Sequence, residues 1–141
     1  MALDNDWGYL EHRAETPKKL PKSAAWSSVS VPHTWNAKDT MDSVPGYRRD
    51  VSWYKKVLVP KKNRSGLRYI MHFEAANMES DVFVNGKRAG GYVGGYMEFE
   101  IDITKHLKFG KANTVLVRVT NEFNRHLIPS QKSDFLSLIH I

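Results

Sequence analysis

The chain of 141 residues contains no cysteine. That absence excludes a disulfide scaffold, a thiolate zinc site, an iron–sulfur cluster and a cysteine nucleophile. It leaves the compartment open, since a chain without thiols tolerates reducing and oxidising surroundings alike. No apolar run approaches the roughly 20 residues that cross a bilayer. The first ten residues carry Asp4 and Asp6 where a secretory leader would be basic and then apolar. The sequence also lacks any long block of one charge. Lys plus Arg is 21 and Asp plus Glu is 15, a net +6, but the cations fall in short pairs such as Lys18-Lys19, Arg48-Arg49 and Lys55-Lys56. A solvated basic surface accounts for that distribution, and neither a nucleic acid nor a membrane is expected as partner.

What is present is a folded-domain composition, 41% hydrophobic and 26% charged, at the size of one domain. The dominant period is two. Leu67, Tyr69, Met71 and Phe73 alternate with polar residues, as do Val115, Val117 and Val119. Met97, Phe99, Ile101 and Ile103 oppose Glu98, Glu100 and Asp102, and Ser80 to Val84 alternates likewise. In the segment from Val51 to Val59, the set Val51, Trp53, Val57 and Val59 is expected to share the buried face. Asn85-Gly86 marks a hairpin whose two central residues take positive φ. The first 50 residues, interrupted by Pro17, Pro21, Pro32 and Pro45, read as an irregular wrap holding one strand at Val29 to Val31. Short strands with regularly spaced turns predict an all-β fold of two packed antiparallel sheets.

Catalytic and metal patterns are sparse. Glu98, Glu100 and Asp102 share one face, at about 6.5–7 Å between neighbours. Groups on one strand cannot flank a sugar from opposite sides, so these read as a solvated face. The six histidines show no pair at ligand spacing, and no Gly-x-Ser-x-Gly occurs. Gly90 to Tyr96 lacks the lysine and helix start of a phosphate loop; its glycines read as turn formers between strands. No catalytic residue, metal ligand or cofactor is therefore expected. Trp35, Tyr47, Trp53, Tyr92 and Tyr96 are the aromatics beside loops, and Trp35, Tyr92 and Tyr96 are the candidates to stack on a sugar ring.

Five motifs in order complete the pattern: Val29-Ser30-Val31-Pro32-His33-Thr34-Trp35-Asn36; Ser52-Trp53-Tyr54-Lys55-Lys56; Phe73-Glu74 with Val82-Phe83-Val84-Asn85-Gly86-Lys87; Gly94-Gly95-Tyr96 running to Ile103-Thr104; and Gly110 to Asn113 with Val117 to Asn121. From about Trp7 to Phe135, the chain resembles the amino-terminal domain of family two glycoside hydrolases, the β-galactosidases and β-glucuronidases. The resemblance implies a jelly-roll β-sandwich, galactose-binding-domain-like, spanning 1–135 and followed by a truncated apolar tail at 136–141. It implies a noncatalytic sugar-binding role. The partners it implies are a carbohydrate, a β-galactoside or related, and the immunoglobulin-like and barrel domains of the same enzyme. The barrel carries both glutamates of the retaining mechanism, so this chain alone is expected to be inactive. Ser133-Asp134-Phe135 matches the segment whose aspartate contacts sugar hydroxyls, which makes Asp134 the candidate substrate contact. Asn121 matches at the strand end, with a local backbone hydrogen-bonding role. After Phe135 the family's glycine turn and Ile-Tyr-Arg are replaced by Leu136 to Ile141. The compartment is left open, the cytoplasm or the periplasm of a bacterium. A self-standing carbohydrate-binding module is the alternative reading.

Overall fold

The computed structural model describes residues 2–38, 48–61, 66–122 and 139–140. Ten strands make up the fold: β1 (Trp7–Glu11), β2 (Ser27–Val29), β3 (Val51–Leu58), β4 (Ile70–Phe73), β5 (Ala75–Ala76), β6 (Glu79–Val84), β7 (Lys87–Val93), β8 (Phe99–Asp102), β9 (Asn113–Thr120) and β10 (Ile139–His140). Among the described residues the only helical pieces are 3₁₀ turns of three or four residues, at Pro17–Lys19, Trp35–Lys38 and Thr104–His106. One layer is a six-stranded antiparallel sheet in the order β2-β1-β3-β9-β6-β7; the β4–β8 pair faces it, and β5 pairs with β10. The expected all-β jelly-roll sandwich is the fold observed.

The alternating valines set the main core. Val115, Val117 and Val119 of β9 and Val82 and Val84 of β6 are fully buried, and they meet Met71, Phe73, Phe99 and Ile101 from β4 and β8. Phe73 and Phe99 are register partners, and their rings stack at 4.6 Å between centroids. Each buried valine contributes about 1.5–3 kcal/mol of transfer free energy, which fixes the register, since a one-residue slip would turn the whole set outward. The Asn85-Gly86 turn takes φ of 52° and 80° as its sequence requires. Beneath it Asn113, fully buried, accepts from Lys108 N (2.7 Å) and Asn85 Nδ2 (2.8 Å) and donates to the carbonyls of Lys108 and Lys111 (2.8 Å each).

Three sequence expectations need correction. On β3 the face toward the main core carries Tyr54, not Trp53. Val51 and Trp53 lie on the opposite face with Phe83 and Ala14, a second cluster roofed by Leu10, Leu20 and Trp26, while Val57 (55% exposed) and Val59 (65%) face solvent. Both faces of this strand are covered at one end, so alternation could not say which face was the core. The first 50 residues hold two strands rather than one. The expected strand at Val29 to Val31 is Ser27–Val29, and β1 was missed because Gly8 interrupts it. A Cβ at Gly8 would sit 3.3 Å from Trp26, so the indole lying against β1 accounts for that glycine. Finally, Gly90 and Gly91 are inside β7 rather than in a turn. A Cβ at Gly91 would lie 2.5 Å from the Ser80 carbonyl oxygen, and one at Gly90 would lie 3.1 Å from Ile101. Of this glycine run only Gly94 has positive φ.

Candidate functional site

The strand register gathers several chain segments at one end of the sandwich. Val51 opens β3 opposite Thr120, the last residue of β9, and Glu79 opens β6 opposite the same Thr120. Glu11 closes β1 opposite Ser52. Residues 48–50, Asn121 and Glu122 therefore meet where the chain leaves the sheet.

Asn121 is buried and joins these segments. Its Oδ1 accepts from Asp50 N at 2.8 Å, and its Nδ2 donates to the Arg48 carbonyl at 2.8 Å. Its partners are backbone groups, as expected, but they lie 71 and 73 residues away rather than nearby in the chain, so the local role read from the sequence is corrected to a long-range one. Arg48 then donates to Ser52 Oγ (3.0 Å) and the Val51 carbonyl (3.1 Å) and pairs with Glu11 (3.4 Å). Arg13 reaches Asp50 at 2.7 Å. The charged groups of this network pair with opposite partners, which ties the chain segments at this end together.

Aromatic rings line the inner side of the same network. Tyr9 and Tyr54 are cross-strand partners with ring centroids 5.3 Å apart. The Tyr9 hydroxyl lies 3.1 Å from both Ser52 Oγ and Glu11 Oε1, and the Tyr54 hydroxyl lies 2.8 Å from His33 Nδ1. Burial, above all, raises both phenols well beyond the ordinary tyrosine range, so they stay protonated. Burial also lowers the His33 imidazole, which favours its neutral form.

The sugar-stacking candidates are placed differently from one another. Trp35 opens a 3₁₀ turn; its ring packs on Tyr9 and carries the Arg48 guanidinium at 5.1 Å, and its N–H donates to the Arg48 carbonyl at 3.3 Å. Tyr92 on β7 stacks on Phe99 at 4.6 Å. Tyr96 stands 49% exposed in the turn after β7, beside exposed Val93 and Met97. Tyr9 and Tyr92 stand on strands four spacings apart in the sheet, about 19 Å. Trp35 and the two tyrosines thus share an end of the sandwich without sharing one surface. Asp134 and Tyr47 lie outside the described residues.

Glu98, Glu100 and Asp102 face outward as the alternation required. His72 lies 3.6 Å from Glu98 and 3.5 Å from Glu100, and Arg68 holds Asp102 at 2.7 Å. Hydrogen bonds from Thr104, then Arg68, push the Asp102 carboxyl down to about 2. No three His, Asp or Glu side chains converge as metal ligands among the described residues. The sequence reading missed Tyr9, His33, Arg48 and Asp50 as one network. Its only local signal was an Arg–Asp pair immediately before a strand.

The family model for glycosyl hydrolases family 2, sugar binding domain, matches residues 3–140. The chain belongs to that family. As a family 2 sugar-binding domain it is 46% identical over 133 residues to a putative β-glucuronidase of Formosa agariphila, covering 94% of this chain and 16% of the relative. It is 35% identical over 126 residues to a β-galactosidase of Thermoanaerobacter pseudethanolicus, covering 88% of the chain and 17% of the relative. The crystal structure of a putative β-galactosidase from Bacteroides fragilis superposes with a TM-score of 0.83 at 28% identity, over 99% of this chain and 21% of that one. The β-glucuronidase of Parabacteroides merdae gives 0.82 at 28% identity, over 97% and 20%. The domain thus spans about a sixth of the length of these two curated relatives.

Proposed function

We propose that this domain is the noncatalytic amino-terminal part of a longer retaining β-glycosidase of the β-glucuronidase or β-galactosidase type, which it buttresses and whose pocket it completes through Asp134. The observation that carries the reading is the pairing of 94% and 88% coverage of this chain with one-sixth coverage of relatives bearing those names. The geometry is consistent with it. β9 ends beside the Asn121–Arg48–Asp50 lock, and the exposed apolar turn at Val93, Tyr96 and Met97 lies at the same end, where following domains would cover it. An aspartate accepting two sugar hydroxyls is a chemically sensible specificity contact.

The test has two arms. The isolated chain, incubated with nitrophenyl β-glucuronide and nitrophenyl β-galactoside, gives no turnover; a rate that copurifies with the chain refutes the noncatalytic role. In the full-length enzyme, Asp134→Ala raises KM for the cleaved substrate at least tenfold, and an unchanged KM removes Asp134 from the pocket. Tyr96, with half its surface free, favours one second reading, a module that binds sugar on its own. Saturable shifts at Tyr96 with free sugars would support it.

A further inference from the structure

The turn between β6 and β7 holds a reactive pair. Asn85 is the only asparagine of the chain followed by glycine. A glycine has no side chain to shield its backbone nitrogen, so that nitrogen can reach the asparagine Cγ once the amide is free to swing toward it. The Gly86 nitrogen, its proton taken by hydroxide or water, then bonds to Cγ of Asn85, and the Cγ–Nδ2 bond breaks with ammonia leaving. The cyclic imide takes up one water and opens at either carbonyl, to aspartate or to an isoaspartyl linkage. Amide plus water becomes carboxylate plus ammonium, with no change of oxidation state. This is one of the reactions that make asparagine thermolabile.

In the folded domain both polar atoms of the Asn85 amide are engaged. Nδ2, the atom that must leave, donates to Asn113 Oδ1 at 2.8 Å and to the His106 carbonyl at 3.0 Å. Oδ1 accepts from the Thr114 N–H at 3.2 Å, and the Asn85 N–H donates to the Thr114 carbonyl at 2.9 Å. These bonds must break before Cγ can meet the Gly86 nitrogen. Asn113 and Thr114 open β9 and lie 28 and 29 residues further along the chain, so the guard exists only when β9 is in place. Asn113 also decides what position 85 can hold. Its Oδ1 takes the Lys108 N–H at 2.7 Å, and its Nδ2 gives to the Lys108 and Lys111 carbonyls at 2.8 Å each. Turning its amide over would set donor against donor and acceptor against acceptor. The atoms facing Asn85 Nδ2 are thus fixed as two acceptors, and a carboxylate there would meet both with no proton to give. An isoaspartyl linkage would add a backbone atom to a turn of two residues.

We propose that Asn85 is a latent deamidation site, closed while the domain is folded and open whenever the turn parts from β9, with a product that the fold cannot take back. A reversible opening is thereby converted into a permanent one, and the lifetime of the domain follows how often this turn opens. The site lies at the other end of β9 from Asn121 and is independent of the role proposed for Asp134.

The experiment incubates the chain in mildly alkaline buffer, one portion native and one in guanidinium chloride above the unfolding midpoint. Peptide mapping by mass spectrometry follows aspartate and isoaspartate at position 85 and at the other seven of the eight asparagines. In denaturant, Asn85 converts before the others. In native buffer it converts at least about tenfold more slowly, in step with the small population of the open turn. A native rate within about tenfold of the denatured one overturns the guard, and conversion of another asparagine first in denaturant overturns the site. Asn85→Asp, the product made directly, unfolds at lower guanidinium concentration than the parent chain or does not fold at all. An unchanged midpoint refutes the claim that a carboxylate has no place there. Turnover by the full-length enzyme is not read in any arm, so this site and the Asp134 reading fail separately.

Discussion

Replacing Asn121 by alanine tests whether the chain exit is locked as described. Asn121 is 6% exposed, and its amide makes two hydrogen bonds of 2.8 Å to the backbone at Asp50 and Arg48. Truncation leaves the Asp50 N–H without its partner and the Arg48 carbonyl with only the Trp35 N–H at 3.3 Å. A fully buried orphan costs about 1–3 kcal/mol. Arg48 and Asp50 are only half-buried, so water recovers part of the loss and the lower half of that range applies. The expected cost is about 1–2 kcal/mol, most of it from the Asp50 N–H. At this chain length a change of 1 kcal/mol moves Tm by about 3–4 °C, so the variant should melt about 3–8 °C lower. Asn121→Asp keeps the acceptor for the Asp50 N–H and loses only the donor to the Arg48 carbonyl, and should cost less than the alanine. Urea unfolding with matched m-values is the assay, because an altered m would signal a changed denatured state rather than a lost lock. A loss under about 0.5 kcal/mol would show that the two hydrogen bonds are readily replaced by water, and the argument for a structured exit would fail.

Other perturbations address the rest of the fold. Phe73→Ala removes the fully buried end of the Tyr92–Phe99–Phe73 stack and should cost about 3–5 kcal/mol by urea unfolding. Gly91→Ala should destabilise by more than 1 kcal/mol, since its Cβ would meet the Ser80 carbonyl; a neutral outcome would mean that β7 can shift. His33 titrates below its ordinary 6.5 because it is buried, so the unfolded chain binds its proton first on acidification. Stability should therefore be full above pH 6.5 and fall as pH drops from there toward the folded value. His33→Phe should flatten that part of a Tm-against-pH curve, and an unflattened curve refutes the assignment. Asp102 acts lower: its contribution is present above 3.8 and lost as pH falls toward about 2, a loss that Asp102→Asn should abolish.

The sequence was most readable where one side of a strand met water. β8 and β9 carried their buried residues at every second position, and Asn85-Gly86 announced its turn because few other residues accept that backbone. Legibility failed where both faces are covered. On β3 the outer roof from Leu10 to Trp26 buries Val51 and Trp53 as completely as the inner layer buries Tyr54, so periodicity carried no sign. β1 escaped notice because its second residue, Gly8, answers to Trp26, a contact invisible locally. The exit network was hidden for a related reason. Its parts, Tyr9, His33, Arg48 and Asn121, come together only once three strands are in register.

The place of β9 in the large sheet bears on how the domain comes into being. Strands β2, β1 and β3 form one half of that sheet and β6 and β7 the other, and β9 alone joins them, pairing with β3 through eight residues and with β6 through six. During synthesis the ribosome delivers β9 last of these six. Until Thr120 has emerged, each half can pair only within itself, and the valine face of β6 has no strand on one flank. Closure then requires contacts across some 60 residues of chain, the slow kind in folding kinetics. A nascent chain stalled before residue 113 presents two open edges that would attract other chains. The same sheet that is continuous when finished is, for most of its synthesis, two fragments waiting for one strand.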